Sequence, residues 1–136
     1  MTEPVLRILV LDDEPIVGKR LKPALAKSGY EVEVYEDGAA ALARLREQDF
    51  DVVVTDVRME GVDGLEVLRQ VRARSPRTVV ILITGYATVD LARAALTMGA
   101  FDFIAKPFKL DDLRAALARA AAHLAGRAPA GVAGGP

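Results

Sequence analysis

Hydrophobic residues fall into short apolar runs separated by longer stretches with helical spacing. Leu6 to Leu11 is almost continuously apolar and stops at Asp12. Val52 to Val54, with Thr55, forms a second run that stops at Asp56. Val79 to Ile83 stops at Thr84, and Phe101 to Ala105 stops at Lys106. Short Val- and Ile-rich runs of this kind suit strands buried on both faces of a parallel sheet. Glu31 to Tyr35 alternates charged and apolar residues instead, which predicts an edge strand with one wet face. Between the runs, apolar residues recur at helical intervals: Ile16, Leu21 and Leu25; Ala39, Leu42 and Leu45; Leu65, Leu68 and Val71; Val89, Ala92 and Leu96; and Leu113 to Leu124. Asp37 is placed to cap the second helix. Ser75-Pro76 ends the third, and Gly99 ends the fourth. Pro23 falls inside the first pattern, where it removes a backbone donor and crowds the turn before it. Leu21 and Leu25 keep the period, so a kinked helix is expected there rather than one that starts late. Five strands alternating with five helices predict an α/β, doubly wound domain.

Residues 4–125 carry this pattern, and the Gly/Pro/Ala-rich residues 126–136 predict a flexible tail. The 136 residues suit one domain. There is no cysteine, which excludes disulfides, thiolate zinc sites and cysteine nucleophiles. The single histidine, His123, cannot make a two-histidine metal site. It reads as a polar or cationic group in the last turn of the fifth helix. Eighteen basic residues against 19 acidic ones leave a net charge of −1. Such a chain has no overall field for a polyanion, so direct nucleic-acid binding is not expected. No run approaches the ~18 apolar residues of a membrane helix. The first apolar stretch is too short for a signal peptide. A cytoplasmic protein with no membrane attachment is the expectation.

Ligands of doubly wound sheets bind beyond the carboxyl ends of the strands. Those ends carry Asp12, Asp13 and Glu14, then Asp56, Thr84 and Lys106. Crowded carboxylates repel one another unless a cation lies between them, and a hard divalent ion such as Mg2+ takes oxygen ligands. A carboxylate beside such a metal can act as a nucleophile and form an acyl phosphate. The phosphoryl oxygens then need an ammonium and a hydroxyl donor, roles that Lys106 and Thr84 fit. Any one of these residues alone would read as a helix cap or a surface charge. Together they are mutually complementary.

With LVLDDEP, VVTDVRM, ILITGYA and GAFDFIAKPF in this order, the chain from Val5 to Leu124 resembles the receiver domains of two-component response regulators. Its later part is most similar to receivers of ATPase-type transcriptional activators and hybrid kinases. The resemblance implies a flavodoxin-like (βα)5 fold with strand order 2-1-3-4-5. It implies Asp56 as phospho-acceptor. Mg2+, or Mn2+ in its place, would be held by Asp12, Asp13, Asp56 and the main-chain carbonyl of Arg58. Thr84 and Lys106 would bind phosphoryl oxygens, and Pro107 would follow a cis peptide bond. Phe103 falls on the family's switch aromatic. Alternation in FDFIA would put Phe101 on the same face, which leaves open which ring moves. Arg58 and Tyr86 stand where the family tunes acyl-phosphate lifetime, and their bulk implies a long-lived phosphoryl state. Glu60 replaces the family's usual proline and reads as solvent-facing. The implied partners are a sensor histidine kinase or phosphotransfer protein and, through the fourth-helix/fifth-helix face, a downstream protein or a second copy.

Three other functions stay open at this level. The pattern suits a stand-alone receiver or part of a longer transcriptional regulator or hybrid kinase. A phosphohydrolase working through an aspartyl phosphate would share the strand-end aspartates but typically has a second acid two residues past the nucleophile, where this chain has Arg58. A degenerate module without phosphorylation would not need the full set. The switch reading implies no enzyme beyond the receiver's own phosphorylation and dephosphorylation.

Overall fold

The computed structural model describes residues 5–126, in which five strands alternate with five helices. They are β1 (Arg7–Leu11), α1 (Pro15–Lys27), β2 (Glu31–Tyr35), α2 (Gly38–Glu47), β3 (Val52–Asp56), α3 (Gly64–Arg74), β4 (Val79–Thr84), α4 (Val89–Thr97), β5 (Asp102–Ala105) and α5 (Leu110–Gly126). All strand pairs are parallel, in the order β2-β1-β3-β4-β5. The expected tail, apart from Gly126, lies outside the described residues.

The apolar runs at β3 and β4 are buried along their whole length because helices cover both faces. One core joins Leu9, Leu11, Val53, Val80 and Leu82 to α2, α3 and α4. The other joins Ile8, Val10, Val52, Val54, Ile81 and Ile83 to α1 and α5. Each fully buried Val, Leu or Ile contributes roughly 1.5–3 kcal/mol. β2 is an edge strand, as its alternation predicts.

The helix ends follow local chemistry. Asp37 caps α2 by accepting from the Ala40 N–H, and Ser75 closes α3. Gly99 takes φ +101° just past α4, a conformation that costs glycine little. α1 does not start late. Pro15 begins it, and it runs through the exposed Pro23 with Leu21 and Leu25 buried on either side.

One expectation is overturned. Phe101 and Phe103 do not share a face: Phe103 packs against the core under α2–α4, and Phe101 against the core under α1 and α5. Strict alternation holds only within a strand, and β5 begins at Asp102. Phe101 sits in the preceding bend, where its N–H donates to the Val80 carbonyl (2.7 Å).

The register levels the carboxyl ends. Leu11 pairs with Thr55, Asp56 with Ile83, and Thr84 with Ala105. Asp12, Asp56, Thr84 and Lys106 are therefore delivered to one rim.

Candidate functional site

Asp12 leaves β1 with its backbone N–H bonded to the Tyr35 carbonyl (3.0 Å). Its Oδ1 accepts from the Glu14 N–H (2.9 Å), which orients the carboxylate. The residue is 1% exposed. Its Oδ2 lies 2.7 Å from Lys106 Nζ, an ion-pair contact that lacks the angles of a hydrogen bond. Oδ2 is thus the single buried side-chain polar atom without a hydrogen-bond partner among the described residues. Burial pushes the Asp12 carboxyl above its ordinary pKa, and the pull of Lys106 only partly offsets this.

Asp12, exposed Asp13 and buried Asp56 each offer an oxygen, and these oxygens lie within 4.8 Å of one another. Three hard oxygen donors, one of them without a hydrogen-bond partner, fit a hard divalent cation. The acidic cluster suits a metal ion on the chemistry of its donors.

Lys106 follows β5 and donates its N–H to the Thr84 carbonyl (2.8 Å). The peptide bond to Pro107 is cis, as expected. Nζ contacts Asp12 Oδ2 at 2.7 Å, Glu14 Oε1 at 2.8 Å and Asp56 Oδ2 at 3.3 Å. Burial disfavours the ammonium, but the contacts with Asp12 and Glu14 outweigh it and hold its pKa above the ordinary lysine value. Lys106 in turn lowers the Glu14 pKa.

Thr84 is wholly buried at the end of β4, and its Oγ1 accepts from the Tyr86 N–H (3.0 Å). Tyr86 is exposed, and the Arg58 guanidinium lies over its ring at 4.1 Å. Arg58, Tyr86, Asp13 and Glu60 line an open cleft of about 680 Å³. Glu60 is exposed there. Phe103 is half-buried, one strand from Thr84 and on the core face that α4 covers. His123 stands apart: it is exposed in the last turn of α5, with its ring 5.3 Å from that of Phe101.

The structure therefore brings Asp12, Asp13, Asp56 and Lys106 together, with Thr84 at the end of β4 and Arg58 and Tyr86 on the loops around them. Two contributors went unassigned in the sequence. Glu14 was visible as a third acid after β1, but not as a partner of Lys106. Gly64 begins α3, and a Cβ there would lie 2.2 Å from the Asp56 carbonyl oxygen. Asp63 before it caps α3 by accepting from the Glu66 N–H.

A family model described as the response regulator receiver domain matches residues 8–118. The regulatory protein AtoC of Escherichia coli (strain K12) is 43% identical over 114 residues, which are 84% of this chain and 25% of AtoC. The DNA-binding transcriptional regulator NtrC of the same strain is 38% identical over 116 residues, 85% of this chain and 25% of NtrC. The chain thus spans about a quarter of the length of these relatives. Among solved structures, the beryllofluoride-activated NtrC4 receiver domain dimer is similar with a TM-score of 0.82 and 33% identity, covering 87% of this chain and 98% of that one. A CheY-like receiver domain protein from Methanospirillum hungatei JF-1 gives a TM-score of 0.87 at 27% identity, covering 91% and 99%.

Proposed function

Since the chain belongs to the response regulator receiver domain family, the phospho-accepting switches of two-component signalling, we propose that residues 4–125 are its receiver and Asp56 its phospho-acceptor. The observation that carries this reading is the place of Lys106. Its ammonium lies between Asp12 and Asp56, bonded to the carboxylate that would be modified.

The phosphoryl donor is a phosphohistidine on a sensor kinase or phosphotransfer protein. An Asp56 oxygen attacks phosphorus in line, the P–O bond forms, the P–N bond breaks, and the histidine leaves with a proton. Asp12, Asp13, Asp56 and the Arg58 main-chain carbonyl would hold Mg2+, or Mn2+ in its place. When bound, that ion neutralises charge on the phosphoryl oxygens. Lys106 neutralises another oxygen. Thr84 shifts toward a third, to which its hydroxyl donates while Oγ1 can still accept from the Tyr86 N–H. That shift opens room on the face where Phe103 packs, so Phe103 and not Phe101 is the ring that turns inward. Arg58 and Tyr86 cover the acyl phosphate and lengthen its life.

The readout is a change of population at the α4–β5–α5 surface. Exposed Val89 and Leu96, one heptad apart on α4, give that surface an apolar stripe for a downstream protein or a second copy. The chain works in the cytoplasm, binds no nucleic acid itself, and turns over no substrate beyond its own phosphoryl group. No helix of the described residues is long and apolar enough to cross a membrane. A second reading, a receiver serving a longer regulator, draws on AtoC and NtrC, in which the matched segment is a quarter of the length.

Incubation with Mg2+ and acetyl phosphate or beryllofluoride tests the central claim. Wild type should gain one modification per chain by intact-mass measurement or NMR, and Asp56→Asn none. A modification shared by both proteins would move the acceptor elsewhere, and steady release of phosphate from a phosphate ester would favour a phosphohydrolase.

A further inference from the structure

The Lys106 ammonium has three protons, and three carboxylates surround it. Asp12 and Glu14 are closest, at 2.7 and 2.8 Å, and Asp56 is furthest, at 3.3 Å. Nζ sits nearer to Asp12 and Glu14 than to Asp56, so a shift of Nζ toward a phosphoryl group on Asp56 lengthens one of the two nearer contacts. Leaving Asp12 strands a buried oxygen that has no hydrogen-bond partner, and an uncompensated buried charge is costly. Leaving Glu14 releases a carboxylate whose side chain is 60% exposed and which water can solvate at once. Glu14 also has no competing structural task. It occupies the N-cap of α1, but its side chain makes no capping hydrogen bond. The contact joins residues 92 positions apart, so it ties the start of α1 to the loop after β5.

We propose that Glu14 is a positioning residue that holds Lys106 in the resting chain and gives it up when a phosphoryl group forms on Asp56. This assignment rests on Asp56 being the acceptor. Glu14 then acts as a built-in competitor: its grip on the ammonium is subtracted from the affinity of the site for a phosphoryl group. It touches neither the phosphoryl group nor the attacking oxygen, and works only through where it keeps Nζ.

Wild type, Glu14→Gln and Glu14→Asp are titrated with beryllofluoride in saturating Mg2+, with binding and the Lys106 Nζ resonance followed by NMR. An exposed ion pair is weak, so Glu14→Gln should bind up to about fivefold tighter. Its Lys106 resonance in the free protein should already have moved toward the bound position. Glu14→Asp keeps the charge but is too short for the 2.8 Å contact, and should follow Glu14→Gln. Unchanged or weaker binding by Glu14→Gln overturns the proposal. Wild-type affinity in Glu14→Asp beside tighter binding in Glu14→Gln also overturns it, because charge alone would then explain the effect. Failure of wild type to bind beryllofluoride would overturn the phospho-acceptor reading itself, whereas normal binding with indifferent Glu14 variants would overturn only this inference.

Discussion

The Arg58 guanidinium carbon lies 4.1 Å from the centre of the Tyr86 ring, so a cation–π contact joins the loop after β3 to the loop after β4. These are the loops that follow Asp56 and Thr84, and the pair lines the cleft beside Asp13. As a cover, the pair should keep water from the acyl phosphate for minutes rather than seconds. An exposed cation–π contact is worth about 0.5–1 kcal/mol, so Arg58→Ala and Tyr86→Ala should each speed phosphate loss about two- to fivefold. Because they share one contact, the double variant should lose little more than either single one. Decay of labelled phosphoprotein measures all four rates. Fully additive effects would show that the two residues act separately.

Asp12, Asp13 and Asp56 crowd their oxygens within 4.8 Å, with Lys106 as the cation among them. Burial raises the Asp12 pKa, so the folded chain disfavours the charge that Asp12 carries at neutral pH. Asp12→Asn should therefore raise the stability of the metal-free chain, since it removes the cost of burying that charge while Lys106 keeps Glu14 and Asp56 as partners. Mg2+ binds the native site and not the unfolded chain, so at a hundredfold excess over its Kd it should stabilise wild type by ~2.7 kcal/mol. Asp12→Asn should lose most of that increment. Thermal unfolding in Mg2+ and in EDTA measures both effects. An Asp12→Asn protein that is less stable than wild type in EDTA would contradict the assignment of burial as the dominant force on Asp12.

Asp12, Asp56, Thr84 and Lys106 were legible in the sequence because each ends an apolar run, and an in-register parallel sheet turns strand ends into neighbours. The faces of Phe101 and Phe103 were not legible. The start of β5 is set by a bend and a hydrogen bond to Val80, which apolar content does not encode. The Glu14–Lys106 contact was hidden for a different reason. It is made by a side chain at the surface across 92 residues, and no periodicity constrains such a pair. Gly64 was hidden because its role lies in what it touches, the Asp56 carbonyl, rather than in its own backbone angles.

Gly64 is the closest support of the proposed acceptor. Its N–H donates to the Val57 carbonyl (2.9 Å), and a Cβ would meet Asp56 O at 2.2 Å and Val57 Cα at 2.8 Å. Backbone cannot rotate aside as a flexible side chain can. Gly64→Ala should therefore cost about 1–3 kcal/mol, as overpacking does, despite alanine's better helix propensity. It should also displace Asp56 and slow phosphorylation by acetyl phosphate. Urea unfolding and the rate of modification check the two effects. A stabilised Gly64→Ala with unchanged phosphorylation would show that the approach is looser than 2.2 Å implies.

The outer edge of the sheet gives a pH test that leaves the rim untouched. Glu33 on β2 accepts from Arg44 at both oxygens (2.8 and 2.9 Å) and from the Tyr35 hydroxyl (2.8 Å). The bonds from Arg44, against some cost of burial, pull its carboxyl from 4.5 down to about 2. A depressed carboxylate pKa adds stability that is fully present above the ordinary value and is lost as pH falls through the folded one. The side chain is a third exposed, so solvent screening reduces the contribution to about 1–2 kcal/mol. Glu33→Gln should thus be less stable than wild type by that amount at neutral pH, and the gap should close between pH 4.5 and about 2. Urea unfolding of both proteins across that window measures it. A gap that stays constant as pH falls would mean that packing, not the Glu33–Arg44 charge pair, makes the difference.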